Sequence, residues 1–233
     1  MRILLTRARP DAERTAARLA ALGHESILSP VIEIVATGAA LPLGPFDAVI
    51  ATSAHAFTGG MGSLVNIPLY AVGERTREAA ERAQWIAAIH VGETAKALTT
   101  RLRDRFSEGQ RVLYLAGRDR KPDIEAAAPE IGLDLQTVET YVAREISSLT
   151  EKAERALRNG EVHAVLHYSR RSAELFVAIV RRAELWAQAV RLGHYALSDD
   201  VAEPLIGAGA HIFVAAAADE DHFLALLPRE NPR

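Results

Sequence analysis

Hydroxyl-bearing and small residues follow several apolar segments of this chain, at the point where each predicted strand ends. In open parallel sheets, ligands bind beyond these carboxyl ends, where helix N-termini present free N–H groups. A set of N–H and O–H donors with few acids and bases predicts the binding of carboxylates or phosphates, and fits metal-assisted or Ser–His–Asp chemistry poorly. A simple helix N-cap is the competing interpretation for each Ser and Thr. The positions are Thr6 and Arg7, Thr52 and Ser53, Gly73, Gly117 and Arg118, Tyr168 and Ser169, and Ser198.

Tyr141 is the candidate for proton transfer. It lies in the segment Glu139–Ala143, which is predicted to be extended. A phenol with a reference pKa of about 10 is protonated at neutral pH, as a general acid must be. The structural alternative is a half-buried strand tyrosine without a chemical role.

Metal and nucleotide cofactor sites are not predicted. The chain has no cysteine, which excludes thiolate metal sites, disulfides and cysteine nucleophiles. His163 and His167 are four residues apart, but their segment is predicted to be a strand and no acidic third ligand follows the usual pattern. Neither a Walker A sequence nor a G-x-G-x-x-G fingerprint is present. The basic run Arg118–Lys121, with Arg7, is compatible with a paired anion site.

A strand–helix–strand unit positions the first of these residues. Arg2–Thr6 is predicted to be a buried strand, Pro10 begins an Ala-rich helix, and Gly23 ends that helix as a left-handed cap. Ser26–Pro30 is predicted to be the second strand. This unit is typical of a parallel sheet with helices on its faces.

The pattern returns later in the chain. Residues 2–23 match residues 111–132 without a gap at an offset of 109, and Gly132 closes the second helix. Residues 46–53 resemble residues 162–169, and residues 69–73 resemble residues 194–198. Three matches in the same order predict an internal duplication.

The fold class predicted is α/β, with two similar lobes, each a parallel sheet flanked by helices, joined by a two-stranded linker. Pro30–Ala36 and Thr137–Ala143 are rich in β-branched residues and are the predicted linker strands. The predicted boundaries are 1–33 with 146–233 for one lobe, 39–139 for the other, and 33–38 with 140–146 for the linkers. A simple division into N-terminal and C-terminal halves fits the patterning equally well. A small molecule held between the lobes is the expected ligand.

Composition sets the class of protein. The 233 residues are 49% apolar and 24% charged, which is ordinary for a globular protein of two modest domains. A net charge of −3 argues against nucleic acid as the main partner. The short apolar run at the N-terminus predicts no signal peptide, and no segment is long enough to span a bilayer. We therefore expect a cytoplasmic protein without membrane contact.

Short motifs follow one another along nearly the whole chain. They are Leu5-Thr6-Arg7, Leu22-Gly23-His24, Pro30, Thr52-Ser53-Ala54-His55-Ala56, Tyr70-Ala71-Val72-Gly73 with Thr76, Val112-Leu113-Tyr114-Leu115-Ala116-Gly117-Arg118, Tyr141, His167-Tyr168-Ser169-Arg170-Arg171-Ser172-Ala173, Leu197-Ser198, Val201-Ala202 and Val214-Ala215. With these motifs in this order, the sequence resembles the uroporphyrinogen-III synthase family. No single motif is specific, but the ordered set is a much stronger indication.

The resemblance implies two α/β lobes, with the first strand–helix unit packed into the C-terminal lobe. It implies an enzyme without metal or cofactor that cyclises hydroxymethylbilane, a linear tetrapyrrole with eight carboxylates, to uroporphyrinogen III. In that reaction the last pyrrole ring is inverted, by the usual proposal through a spirocyclic intermediate, and water is lost. The substrate supplies the reactivity, so the protein mainly fixes a conformation and stabilises charge. We expect a monomer that can make a transient contact with the preceding enzyme of the pathway.

The resemblance also assigns residues. Tyr141 matches the family tyrosine proposed to protonate the leaving hydroxyl. Ser53, Thr76, Ser169 and Ser198 match positions that line the site. The predicted substrate-binding set is completed by Thr6, Arg7, Thr52, Ala54, Gly73, Gly117, Arg118 and Tyr168.

This chain departs from the family pattern in two places. Asp199 and Asp200 follow Ser198. Where the family often has a proline followed by a hydroxyl residue, this chain has the segment Ala217–Glu220 instead.

Two other functions remain open at this point. One is a non-catalytic, two-lobed sensor that closes on a small anion, since fold does not fix function. The other is a nucleotide-dependent Rossmann-type enzyme, which the missing glycine fingerprint disfavours. The isomer ratio of the product and a cofactor titration would separate them.

Overall fold

The chain divides into two compact units in the computed structural model, which describes residues 1–92 and 95–228. One unit comprises Met1–Glu33 and Arg144–Arg233, and the other comprises Ile34–Ala143. Positions 93–94 and 229–233 of the predicted lobes lie outside the described residues. The first strand–helix–strand segment is thus part of the same compact unit as the C-terminal third of the chain.

Strands and helices alternate along most of the chain. The strands are β1 Arg2–Leu5, β2 Glu25–Leu28, β3 Ile32–Ala36, β4 Ala48–Ala51, β5 Leu69–Ala71, β6 Ala88–His90, β7 Arg111–Gly117, β8 Asp134–Glu145, β9 Ala164–His167, β10 Gly193–Ala196 and β11 His211–Val214. The α-helices are α1 Arg9–Ala21, α2 Glu74–Arg82, α3 Ala95–Arg105, α4 Asp123–Ile131, α5 Glu151–Arg158, α6 Arg170–Arg182, α7 Trp186–Ala189, α8 Asp199–Ile206 and α9 Glu220–Ala225, and short 3-10 helices span Ala54–Phe57 and Gly62–Asn66.

The sheet of the first unit has the order β11-β10-β9-β1-β2, with parallel pairing throughout. Apart from Arg2 at the start of β1, the residues of β1 and β9 are buried, as the apolar sequence of β1 predicts for a sheet covered on both faces. Ile3, Leu166 and Phe223 belong to one buried cluster, so the last helix, α9, packs on the same core as β1 and β9.

The sheet of the second unit has the order β3-β8-β7-β4-β5-β6. Pairing from β8 to β6 is parallel. At the two ends of β3, Thr37 N donates a hydrogen bond to Thr140 O (3.0 Å) and Val31 O accepts one from Ile146 N (2.9 Å). From residue 31 to residue 37 the residue number rises, while the number of the hydrogen-bonded partner falls from 146 to 140. This is the pattern of antiparallel strands. The role of these two segments as linkers stays a prediction.

The strand orders reflect the sequence repeats. The repeats pair β1 with β7, β9 with β4, and β10 with β5, and extending them pairs β2 with β8 and β11 with β6. When each strand of the first sheet is replaced by its repeat partner, the order becomes β6-β5-β4-β7-β8. The same five strands follow one another in this order in the second sheet, read from the β6 edge. Two similar α/β units with parallel sheets flanked by helices are therefore confirmed.

Glycines end the helices of the repeated units, as predicted. Gly23 after α1 has φ +82°, and Gly132 after α4 has φ +77°. The left-handed region is open to glycine without a steric cost, so both helices end there and the chain turns into the next strand. Among the helices of the described ranges, none has the length and apolarity to cross a membrane.

Candidate functional site

In the second unit, the predicted residues meet at one edge of the sheet. Strands β4, β5 and β7 run parallel and in register, so Thr52 and Ser53, Gly73, and Gly117 all lie at or just beyond the carboxyl edge. Ser53 is the N-cap of the 3-10 helix Ala54–Phe57, and its Oγ accepts a 3.2 Å hydrogen bond from His55 N. Gly73 has φ +79° at the start of α2.

Tyr141 is brought to the same edge by a β-bulge. Ala116 of β7 pairs with Glu139 of β8, but Gly117 pairs with Tyr141, so Thr140 is the extra residue. The Tyr141 ring then lies on Gly117, with the His55 ring at 5.7 Å in an edge-to-face arrangement. Bulges of this kind re-aim side chains near functional sites.

Burial raises the pKa of the Tyr141 phenol, against the opposing effect of a hydrogen bond with Ser53. Because the shift is upward, the phenol keeps its proton at neutral pH. The side chain is half-buried, so both interpretations made from the sequence describe its surroundings: it packs as a strand tyrosine and holds a protonated hydroxyl.

Two other predicted donors of this unit, Thr52 and Arg118, have side-chain partners within the chain. Thr52 Oγ1 and Tyr114 Oη are 2.9 Å apart in a hydrogen bond. Thr76 is buried in the first turns of α2. Arg118 Nε donates to Glu139 Oε2 at 3.1 Å, on an exposed surface. The basic run thus lies at the carboxyl end of β7, beside the strand that carries Tyr141.

In the first unit, a carboxylate gathers the predicted residues Arg7 and Tyr168. Glu220 Oε1 accepts hydrogen bonds from Thr15 Oγ1 (2.8 Å), Tyr168 Oη (3.0 Å) and Arg7 Nη1 (3.2 Å). The Arg7 guanidinium also stacks 3.8 Å from the centroid of the Tyr168 ring. Burial alone would raise the pKa of Glu220, but the hydrogen bonds from Thr15 and Tyr168, with the nearby arginine charges, outweigh it and lower that pKa.

The remaining predicted residues of the first unit differ in what their hydroxyls do. Thr6 is buried and donates to Leu166 O at 3.3 Å. Ser169 caps α6, accepting from Ser172 N at 3.2 Å. Ser198 stands at the N-terminus of α8 without a side-chain capping bond. Of the two serines at helix starts in this unit, Ser198 is therefore the one whose side chain makes no capping bond.

His167 forms a pair with His194 in the core, not a metal site with His163. Nε2 of His194 lies 2.9 Å from Ala189 O, and a carbonyl only accepts, so Nε2 carries the hydrogen. His194 Nδ1 therefore accepts from His167 Nε2, at 3.1 Å. Burial lowers the pKa of both rings, which are neutral at pH 7. Within residues 1–92 and 95–228, no group of three or more His, Asp or Glu side chains is arranged to hold a metal ion.

A family model described as uroporphyrinogen-III synthase HemD matches residues 13–225 of this chain. The chain belongs to the uroporphyrinogen-III synthase family. The resemblance found in the ordered motifs is thereby confirmed. Members of this family are cyclising lyases of tetrapyrrole synthesis, and the chain is an enzyme of this kind.

Solved structures of uroporphyrinogen-III synthases share its fold. A synthetase from Helicobacter pylori 26695 matches with a TM-score of 0.66 and 20% identity, covering 97% of this chain and 98% of its own. A mutant synthase from the extreme thermophile Thermus thermophilus matches with a TM-score of 0.52 and 18% identity, covering 97% and 96%. Among curated protein sequences, none matches this chain significantly.

Three residues that contact predicted site residues within their own unit were missed by the sequence interpretation. His55 was quoted only within a motif, Thr15 was not singled out, and Glu220 was noted only as a departure from the family. The signal for Glu220 was its place in the segment Ala217–Glu220, which departs from the family pattern. No sequence signal marks the contact between His55 and Tyr141.

Proposed function

We propose that this synthase converts hydroxymethylbilane to uroporphyrinogen III with Tyr141 as the proton donor to the leaving hydroxyl. The observation that carries the proposal is the phenol at the carboxyl edge of the second sheet, half-buried, with its pKa raised by burial. A protonated donor at a defined position is what departure of a hydroxyl group requires.

The proton and electron balance of this step is simple. The C–O bond of the hydroxymethyl group breaks, its electron pair leaves with oxygen, and the Tyr141 proton completes a water molecule. The pyrrole nitrogen lone pair forms the new double bond and the nitrogen keeps its hydrogen, so the product is a positively charged azafulvenium. In the final ring closure, a pyrrole α-carbon forms a C–C bond to the electrophilic methylene carbon. That α-carbon then loses its hydrogen as a proton to the Tyr141 phenolate, which restores the aromatic ring. No external acid, base or oxidant is consumed.

Donors of both units are proposed to hold the substrate carboxylates. In the second unit these are Ser53, Gly73 at the start of α2, Thr76 and the exposed Arg118. The remaining members of the proposed set are Thr6, Thr52, Ala54, Gly117, Ser169 and Ser198. Arg7 and Tyr168 also belong to the proposed set, and their hydrogen bonds to Glu220 fix the positions of both side chains.

The proposal extends to the setting of the enzyme. The enzyme is proposed to work in the cytoplasm as a monomer, without a cofactor, and to contact the enzyme that supplies hydroxymethylbilane only transiently. The family supports the absence of a cofactor, because its substrate carries its own reactive group. Sedimentation of the purified chain, alone and with the preceding enzyme, measures its oligomeric state and that contact.

The test is the isomer ratio of the product. Freshly made hydroxymethylbilane is incubated with purified protein, without added metal or cofactor, and the uroporphyrin formed after oxidation is separated. We expect mainly the type III isomer from the native chain. Spontaneous type I product alone, from folded protein, would contradict synthase activity and favour an anion-binding sensor.

Two tyrosine variants test the role of the phenol. Tyr141→Phe removes the proton but keeps the ring, and we expect kcat to fall about 100-fold or more. Tyr70→Phe is the matched control, because Tyr70 lies in the same sheet and packs its ring on Phe106 at 5.1 Å. Full turnover and full type III selectivity in Tyr141→Phe would remove Tyr141 from the mechanism.

A further inference from the structure

The Tyr141 ring occupies the space where a side chain at position 117 would stand. A Cβ atom built on Gly117 would lie 2.6 Å from Cζ and 2.7 Å from Oη of Tyr141. Gly117 is not among the glycines with positive φ, so its backbone does not require glycine. Because glycine has no side chain, the Tyr141 phenol can lie against the backbone of residue 117.

The bulge in β8 determines which residue meets Gly117. In a regular register, Gly117 would pair with Thr140, the residue after Glu139. The extra residue shifts the pairing by one, so Tyr141 takes that place. Because a shift of one residue turns side chains to the opposite face, the bulge decides the direction of the phenol.

His55 and Ser53 also contact the Tyr141 side chain. The His55 ring contacts Tyr141 edge to face, with an angle of 62° between the planes. This is a favoured geometry for aromatic pairs. Ser53 binds His55 N through its Oγ and also shares a hydrogen bond with the phenol. Contacts from Gly117, His55 and Ser53 therefore converge on one phenol.

We propose that Gly117 and His55 are positioning residues that fix the Tyr141 Oη atom for proton donation. The inference rests on the function proposed above, but it concerns the place of the ring, which is measurable without substrate. Displacement of a reacting group by about 1 Å can lower the rate about 100-fold. Contacts that fix the position of the Tyr141 ring should therefore have a measurable effect on the rate.

The first test observes the phenol directly. The whole chain is labelled with tyrosine carrying carbon-13 at Cζ, and the Tyr141 resonance among the five tyrosines is assigned by its loss in Tyr141→Phe. In Gly117→Ala we expect this resonance to shift and to titrate at lower pH, because the displaced ring meets more solvent. Gly44→Ala is the matched control, since its Cβ would meet Arg111 Nη1 at an ordinary 3.6 Å. An unchanged resonance in folded Gly117→Ala overturns the role of Gly117.

The second test uses His55, which lies outside the β7–β8 pairing and is informative even where Gly117→Ala does not fold. His55→Ala removes the ring edge, and we expect the Tyr141 resonance to move. His55→Phe keeps a ring edge and should restore the native resonance. A native resonance in His55→Ala overturns the role of His55, as does a failure of His55→Phe to restore it.

Kinetics connect position with catalysis. We expect kcat of Gly117→Ala to fall about 100-fold with KM within about twofold, because the phenol acts in the transition state more than in binding. A displaced resonance with native kcat would contradict the proposal. If the native enzyme yields only type I product, the proposed function is contradicted. The resonance data would still report whether Gly117 and His55 fix the position of the Tyr141 ring.

Discussion

Tyr168 and Glu220, 52 positions apart in the chain, are joined by a 3.0 Å hydrogen bond from the phenol Oη to Oε1. The same carboxylate binds Thr15 and Arg7, and its other oxygen accepts from Arg18 at 3.2 Å. Glu220 begins α9, while Thr15 and Arg18 lie on α1. One carboxylate therefore ties two helices and the end of β9 together.

Removing this carboxylate should destabilise the protein. Glu220→Ala leaves the donors around it without their acceptor, and the Glu220 side chain is only 16% exposed. We expect a loss of about 2 kcal/mol in the free energy of unfolding, measured by chemical denaturation. Glu13→Ala, which breaks the exposed pair with Arg9, is the control and should change stability by less than about 0.5 kcal/mol. Equal losses in the two variants would show that the Glu220 cluster contributes no more than a surface pair.

The His167–His194 pair predicts loss of stability in mild acid. Both rings are neutral in the folded protein because burial lowers their pKa, whereas unfolded histidine titrates with a pKa of about 6.5. Below that pH the unfolded chain binds more protons than the folded one, so acidification favours unfolding. Each ring contributes a slope of at most about 1.4 kcal/mol per pH unit, until the folded pKa is reached.

Variants separate this pair from other titrating groups. In His167→Phe, the slope of unfolding free energy between about pH 6.5 and 5 should fall, because one buried ring no longer titrates. His211 is exposed at the start of β11, so His211→Gln should keep the native slope. A native slope in His167→Phe would contradict the prediction.

Serine hydroxyls at two helix N-termini should respond differently to removal. Ser169 caps α6, so Ser169→Ala should cost about 1 kcal/mol of stability. Ser198 makes no capping bond, so Ser198→Ala should stay within about 0.5 kcal/mol of the native chain. Thermal or denaturant unfolding compares the two. A large loss in Ser198→Ala would mean that its hydroxyl supports the fold.

Gly132 should tolerate alanine less well than Gly160, although both have positive φ, +77° and +68°. Either substitution carries the strain of the left-handed region, roughly 1–2 kcal/mol. At Gly132 the new Cβ would also lie 2.8 Å from Glu108 Cγ and 3.3 Å from its Cα, whereas at Gly160 nothing lies within 4 Å. We expect Gly132→Ala to lose about 1 kcal/mol more, by denaturant unfolding. Equal losses would show that backbone strain alone decides.

The repeated units were predictable because their signals are local. Apolar runs such as β1, the proline near the start of α1, and the glycines after α1 and α4 each act on a few neighbouring residues. The match of three segments in the same order then predicted two similar sheets, and the strand orders agree. The family followed from the same ordered motifs.

The site was predictable only in part. That Thr52, Ser53 and Gly117 would lie at the carboxyl edge of a sheet followed from the rule for parallel strands. Tyr141 reaches that edge through the bulge in β8, which the rule does not predict. Which hydroxyls already have partners did not follow, because Thr52 meets Tyr114 across 62 positions of sequence. The spacing of apolar residues indicates the helix or strand to which a residue belongs. It does not indicate which side chain of a neighbouring strand that residue will contact.

The sequence by itself determined the α/β class, the duplicated strand–helix units and the family, because hydrophobic periodicity, helix caps and ordered motifs act over short distances. The tertiary structure alone decided that the Tyr141 ring lies on Gly117 and that Glu220 takes up Arg7 and Tyr168. A one-residue bulge and a late helix create these contacts. Both depend on strand register and helix packing, which emerge only when distant segments meet in one core.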